Sequence, residues 1–216
     1  MTPGPDPDRP DLRGWPVNLL VAGRRVVVVG AGRIAARKIA SLLALDADVH
    51  VVAPEFGRDV EAWHADGTVS ASRRAFTPAD LDGAWLAVTA TDDPATNAAV
   101  HDAAEARRIW CNSADDPANC SFTLLSVLRR SDVVVAIGTG GRSPALAKWL
   151  RERIEAELGD DVGALLDVLA EAREEMRAAG RSSEDADWQL ALQSGMVELV
   201  RDGRLDEAKE LLRSCL

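Results

Sequence analysis

Residues 26–38 read VVVVGAGRIAARK. Four valines run into Gly30-Ala31-Gly32, and helix-forming residues follow at once. The order is strand, tight turn, helix. The valine run suits a strand buried on both faces of a parallel sheet. Gly30 permits the turn, and Gly32 lets a pyrophosphate come close to the backbone. Ala35 takes the third small position of G-x-G-x-x-G/A, where helix and strand pack closely. The start of the helix then offers free N–H groups and a partial positive charge. The reading is a dinucleotide site. The plain alternative is a glycine turn without a ligand, and it loses ground because strand and helix both stand where the site needs them.

Alternation continues outward from this turn. A helix is expected over about 33–45, with Ile34, Ile39, Leu42 and Leu43 on its buried side and Asp46-Ala47-Asp48 closing it. Strand 49–53 stops at Pro54, a short helix covers 58–65, and 68–72 forms a third strand. Strand 85–90 comes next, and Asp93-Pro94 opens a helix over 94–107, with Pro at a compatible first-turn position. Strand 109–112 runs into the loop Ser113–Pro117. Parallel strands joined by helices require right-handed crossovers. The expected fold to about residue 115 is therefore α/β, a Rossmann-like, five-stranded doubly wound parallel sheet.

Beyond that point the pattern changes. Residues 121–130 read as a short strand or helix, and 132–137 as a sixth apolar strand. The glycine-rich loop Gly138–Pro144 leads into a helix to about 158, with Ser143 as N-cap and Pro144 at its first position. From 161 onward apolar residues recur at helical spacing, with breaks at Gly180 and Gly203, as in a small helical domain.

The chain has 216 residues, 47% of them apolar, which is enough for one large domain or a medium one with additions. Its opening, MTPGPDPDRPDLRG, is rich in Pro and Asp. It lacks the order of a signal peptide and reads as a disordered leader over 1–14. No apolar run is long enough to span a bilayer, so the default is a cytoplasmic protein with no membrane partner. The net charge of −10 argues against nucleic-acid binding. That charge is concentrated: residues 154–216 carry 16 acidic and 7 basic side chains, while 121–153 hold Arg129, Arg130, Arg142, Lys148, Arg151 and Arg153 against Asp132 and Glu152. A basic segment in an acidic chain points to an anionic small ligand or to a solvated face. Three scattered cysteines and three scattered histidines suggest neither disulfides nor a bound metal.

Three constellations carry chemistry. In the first, Glu55 lies 23 residues beyond Gly32, about where an acid meets the ribose hydroxyls. No arginine follows it directly, which favours NAD over NADP; a plain surface loop residue is the other reading. The second is Asn112-Ser113-Ala114-Asp115-Asp116-Pro117, past a strand's carboxyl end, where ligands sit in open α/β sheets; on spacing alone a simple Asp-Pro turn is the favoured reading. The third is Gly138–Pro144, whose N–H groups suit a carboxylate or phosphate and also cap the next helix.

Taken in this order, Gly30–Lys38, Val52–Glu55, Ala87–Asp93, Asn112–Pro117 and Val135–Ala147 resemble the precorrin-2 dehydrogenases. That family includes the N-terminal module of siroheme synthases and stand-alone dehydrogenase/ferrochelatases. The Thr-Gly-Gly-Arg-Ser-Pro loop beyond Asn-x-x-Asp-x-Pro is the specific part, and the likeness covers about 15–158. No methyltransferase module follows, so the stand-alone type is expected.

The resemblance implies an NAD-binding Rossmann domain (15–117), a dimerisation and substrate segment (118–150) and a helical domain (151–216), assembled as a homodimer. It implies NAD-dependent oxidation of precorrin-2 to sirohydrochlorin, and in some members insertion of ferrous iron, which is then a substrate and not a bound cofactor. It implies Asp115 as the catalytic residue. Cofactor contacts fall on Gly30, Gly32, Arg33, Ile34, Pro54, Glu55, Thr89 and Thr91. Tetrapyrrole contacts fall on Asn112, Thr139, Gly140, Gly141, Arg142 and Ser143. Thr139 stands where several members have serine, and Ser113-Ala114 replaces their apolar pair. Asp115 would take a proton as hydride leaves for the nicotinamide. The competing expectations are a non-catalytic NAD-sensing module and an unrelated dehydrogenase. For the latter no Ser-Tyr-Lys set exists, because the chain has no Tyr.

Overall fold

The valines of the opening motif lie at the centre of the sheet. The structure is a computed structural model that describes residues 14–184 and 186–216. All but Gly14 of the expected leader falls outside those residues. Strand β1 (Arg25–Val29) pairs in parallel with β2 (Asp48–Val52) on one side and β4 (Leu86–Thr89) on the other. β3 (Ser70–Ser72) and β5 (Trp110–Ser113) form the edges. The order is β3-β2-β1-β4-β5, so the direction of winding reverses at β1/β4.

Both faces are covered. Val26 and Val28 pack with Ala35 and Ile39 of α1 (Arg33–Leu43). Val27 and Val29 pack with Leu81 and with Val100 and Ala104 of α3 (Pro94–Arg107). Each fully buried valine contributes about 1.5–3 kcal/mol, so this one strand anchors both layers. α2 (Arg58–Ala65) connects β2 to β3.

Two compact units result, the first ending at Leu124 and the second spanning Leu125–Leu216. The border expected at 117/118 lies inside the first unit, because the chain after Pro117 returns to β5: Ser121 N–H donates to the Cys111 carbonyl at 2.8 Å. The border expected at 150/151 falls inside α4 (Pro144–Glu157).

The second unit opens with an antiparallel hairpin, β6 (Ser126–Arg130) and β7 (Val133–Ile137). Residues 121–130, left open between strand and helix, thus supply a strand. Among the described residues, the apolar run at 132–137 pairs with β6 in a separate two-stranded sheet and does not extend the main one. After α4 come α5 (Val162–Ala178), α6 (Trp188–Gln193), α7 (Met196–Arg201) and α8 (Leu205–Cys215), around Val168, Ala172, Ala191, Met196 and Leu212. The expected breaks at Gly180 and Gly203 are present, both at positive φ. A further break at Gly195 (φ 95°) divides what reads as one helix from Trp188 to Leu199.

One core expectation is corrected. Ile34 is not on the buried side of α1; it is 41% exposed, while Ile39 is fully buried and Leu42 and Leu43 are partly so. Ile34 belongs to the first turn and lines the cleft at the carboxyl ends of the strands. No described helix is long and apolar enough to cross a membrane.

Candidate functional site

A cleft of about 700 Å³ opens at the carboxyl ends of four strands. Gly30, Ala31, Gly32, Arg33 and Ile34 enter from β1 and α1, and Ala53, Pro54 and Glu55 from the end of β2. Ala90, Thr91 and Asp92 follow β4, and Ala114 and Asp115 follow β5.

The two glycines do different work. Gly30 has φ 107°, and a Cβ there would lie 2.4 Å from the Ala90 carbonyl oxygen. It is required by the protein's own packing. Gly32 has ordinary backbone angles, and a Cβ there would meet nothing within 4 Å. The open space beside it belongs to the cleft. Gly32 is the N-cap of α1 yet offers no side-chain cap, and the first turn has no acidic residue. The first intrahelical bond is Ala36 N–H to the Gly32 carbonyl, so the preceding amides face the cleft without helical partners. That is what a pyrophosphate needs, and the residues present fit a dinucleotide. Glu55, exposed at the end of the neighbouring strand, stands where ribose hydroxyls would be accepted.

The wall after β4 is held from α3. Thr91 Oγ1 donates to Asn97 Oδ1 at 2.8 Å, and Asn97 Nδ2 donates back to the Thr91 carbonyl at 3.1 Å. Thr89, expected at the cofactor, is fully buried and gives its hydroxyl to the same Asn97 oxygen; Thr91 alone of the two lines the cleft. Asp93 caps α3, accepting from Ala95 N–H, Thr96 N–H and the Thr96 hydroxyl at 3.1, 3.1 and 2.6 Å. The Thr96 hydroxyl, then the backbone amides, hold its carboxyl below the usual range. Asn97 is a site residue the sequence reading missed, since nothing near it in sequence marks it.

The wall after β5 carries Asp115 on a left-handed residue (φ 57°), a conformation Asp tolerates better than most. Its carboxylate makes no hydrogen bond to another described residue, and it lines the cleft. Its neighbour Asp116 accepts from Asn119 Nδ2 at 2.6 Å. Asn112, expected to meet substrate, is 6% exposed. Its amide is engaged by protein: Oδ1 accepts from Lys38 Nζ at 2.8 Å, and Nδ2 donates to the Phe122 carbonyl at 3.0 Å. Lys38 and Cys120 both lie beside Asn112, and no sequence motif singles out either. Burial pushes the Lys38 ammonium down from its ordinary value, with Cys120 and Asp115 pulling the other way. Burial pushes the Cys120 thiol up.

In the second unit, Thr139, Gly140, Gly141, Arg142 and Ser143 form one loop before α4. Gly140 and Gly141 are both left-handed (φ 58° and 69°). The Thr139 hydroxyl closes the loop on Ser143, accepting its N–H at 3.2 Å and donating to its carbonyl at 3.1 Å. Ser143 Oγ caps the helix through Leu146 N–H at 3.1 Å. Arg142 is exposed. Among the described residues no cluster of His, Cys, Asp and Glu suits a metal ion.

The reversal point of a parallel sheet, an uncapped glycine-led helix and an acid just beyond the adjoining strand define an NAD(P)-binding Rossmann protein. Residues 17–126, about half of the chain, match the family described as "Putative NAD(P)-binding", and 135–157 match "Sirohaem biosynthesis protein central". The siroheme synthase of Nitrosococcus oceani is 34% identical over 203 residues, covering 93% of this chain and 43% of that protein. Siroheme synthase 1 of Yersinia enterocolitica is 37% identical over 195 residues, 89% and 41% of the two chains. The chain thus spans less than half the length of these curated relatives. The solved structure of "SirC, precorrin-2 dehydrogenase" is similar with a TM-score of 0.69 and 25% identity, covering 94% of this chain and 98% of that one. The chain belongs to this NAD(P)-binding family, and it is similar to siroheme synthases and to a precorrin-2 dehydrogenase.

Proposed function

We propose that the protein is a homodimeric, cytoplasmic precorrin-2 dehydrogenase that uses NAD to form sirohydrochlorin. The observation that carries this reading is the Asp115 carboxylate, which accepts no hydrogen bond from another described residue and faces the same cleft as the glycine turn. Bound NAD⁺ supplies the hydride acceptor. The amides at the start of α1 hold the pyrophosphate, and Glu55 accepts from the ribose hydroxyls and disfavours a 2′-phosphate there. As a C–H bond of precorrin-2 gives up its hydride, Asp115 takes the accompanying proton and passes it to water. The products are sirohydrochlorin, NADH and a proton.

The loop Thr139–Ser143, with left-handed Gly140 and Gly141 and the exposed Arg142, has the chemistry to receive the substrate's carboxylates. Ferrous iron is proposed as a second substrate, with Asp115 accepting pyrrole protons as the metal enters. The hairpin supports a dimer: Val127, Ala136 and Val134 are all exposed and, by their cross-strand pairing with one another and with Arg129, share one face.

The test is to give the purified protein precorrin-2 and NAD, then ferrous iron, and follow the absorption spectrum. Sirohydrochlorin and NADH should appear together, and Asp115→Asn should abolish both. NAD binding without any change in precorrin-2 would leave a non-catalytic sensing module instead. Sedimentation should give twice the chain mass, and a monomer would remove the dimer from the proposal.

A further inference from the structure

Lys38 lies on the helix that begins at the glycine turn, and Asn112 lies on the last strand of the sheet. The two are 74 residues apart in sequence, and β4 stands between β1 and β5. A short side chain on α1 could not bridge that gap, but the four-carbon stem of lysine does. The bond orients Asn112 without ambiguity: an ammonium only donates and a carbonyl only accepts, so the amide oxygen must face Lys38 and its nitrogen Phe122.

From Asn112 the connections lead into the loop that carries Asp115. Ser113 N–H donates to Cys120 Sγ at 3.1 Å, and Ala114 N–H donates to the Thr89 carbonyl at 2.8 Å. The Asn112 amide nitrogen also approaches Cys120 Sγ at 3.7 Å. Ser113 and Cys120 thus tie the two ends of the 113–120 loop to each other, next to the Asn112 that Lys38 holds. The half-buried ammonium hydrogen-bonds to a neutral amide, and Asp115 acts on it through space without an ion pair among the described residues. A lysine used only for solubility would reach solvent instead.

We infer that Lys38 is a positioning residue for the dehydrogenase reaction: bonded to Asn112, it ties the helix that presents the dinucleotide to the loop that presents Asp115. The inference rests on the proposed role of Asp115. Hydride and proton leave the same substrate, so acceptor and base must keep a fixed separation, and a misplacement of about 1 Å costs roughly 100-fold in rate. Lys38 sets that separation without touching the substrate.

The test uses the full chain with Lys38→Met, which keeps the stem and removes the donor, and Lys38→Arg, which restores a donor and the charge. In Lys38→Met, kcat for NADH formation from precorrin-2 should fall by roughly 30- to 100-fold. The NAD dissociation constant, measured by calorimetry without substrate, should stay within about threefold, and amide exchange should speed up over 113–120. Lys38→Arg should recover most of kcat. A purely structural role would move NAD affinity and exchange across the whole sheet together, and that result would overturn the inference. So would wild-type kcat and exchange in Lys38→Met. Should that variant not fold, Lys38→Gln carries the same measurements. If Asp115→Asn is inactive while Lys38→Met is fully active, only the tie is lost; if Asp115→Asn is active, the assignment of the loop itself falls.

Discussion

Asn97 and Thr91 grip one another twice: the threonine hydroxyl donates to the asparagine oxygen, and the asparagine nitrogen donates back to the threonine carbonyl. The same oxygen receives the fully buried Thr89 hydroxyl. One α3 side chain thus fixes the stretch of backbone that forms a wall of the dinucleotide cleft. Asn97→Ala leaves the Thr89 hydroxyl without a partner in a dry site, a cost on the order of 1–3 kcal/mol. Thermal unfolding should shift down by several degrees, roughly 2–4 °C for each kcal/mol in a chain of this size. NAD affinity should weaken as well, since Thr91 loses its anchor. Unchanged melting in the variant would mean the hydroxyl finds another partner.

Gly30 and Gly32 should respond in opposite ways to the same change. Gly30→Ala forces a Cβ into the Ala90 carbonyl and holds alanine at φ 107°, a strain of order 1–3 kcal/mol. It should lower the melting temperature. Gly32→Ala meets no protein atom within 4 Å and should melt like the parent, but its methyl enters the space a pyrophosphate would use. NAD affinity should drop about tenfold or more, as when a bound group loses roughly 1.4 kcal/mol. Calorimetric titration and thermal melts of the pair separate the two roles.

Asp80 gives the fold a dependence on pH. Arg74 donates to it at 2.8 Å, and Thr77 donates its N–H at 2.8 Å and its hydroxyl at 3.1 Å. These bonds, Arg74 foremost, hold the carboxyl down from 3.8 to about 2. A folded-state value below the unfolded one means that the stabilisation is complete above pH 4 and disappears as pH falls towards 2. Melting curves from pH 5 to 2 should show the parent losing on the order of 1–2 kcal/mol more than Asp80→Asn. Parallel losses in the two proteins would show that other carboxylates govern the acid limb.

Much of the first unit was readable because its information is contiguous. The valine run, the glycine turn and the acid after β2 each lie within a few residues, and their physics is local. The hairpin was harder. Its turn, Ser131, is left-handed (φ 48°) without being glycine, and the run Ser126–Arg130 is too short to show a period. Helical spacing puts Ile34 on the core side, but spacing cannot tell that the first turn of α1 lines a cleft. Lys38 and Asn112 illustrate the general limit: each is unremarkable in its own segment, and only the sheet order brings them together. For the same reason Asn112 and Thr89 read as ligand contacts although protein partners occupy both side chains.

The adjacent acids Asp115 and Asp116 offer the sharpest contrast in the cleft. Asp116 holds Asn119 at 2.6 Å, whereas Asp115 faces the cleft without a described partner. Sequence alone cannot rank them, but their environments do: a base must be free to receive a proton, and a carboxylate already fixed as an acceptor is poorly placed for it. Asp115→Asn is the better probe than alanine, because asparagine also tolerates the left-handed backbone and keeps the shape while losing the basic oxygen. It should lower kcat by roughly 10²–10⁴-fold and leave the NAD dissociation constant nearly unchanged. Asp116→Asn should keep most of its turnover, since asparagine can still accept from Asn119. If instead Asp116→Asn were the inactive variant, the base would have to be reassigned to the second acid, and the left-handed turn at Asp115 would be read as a device for aiming its neighbour.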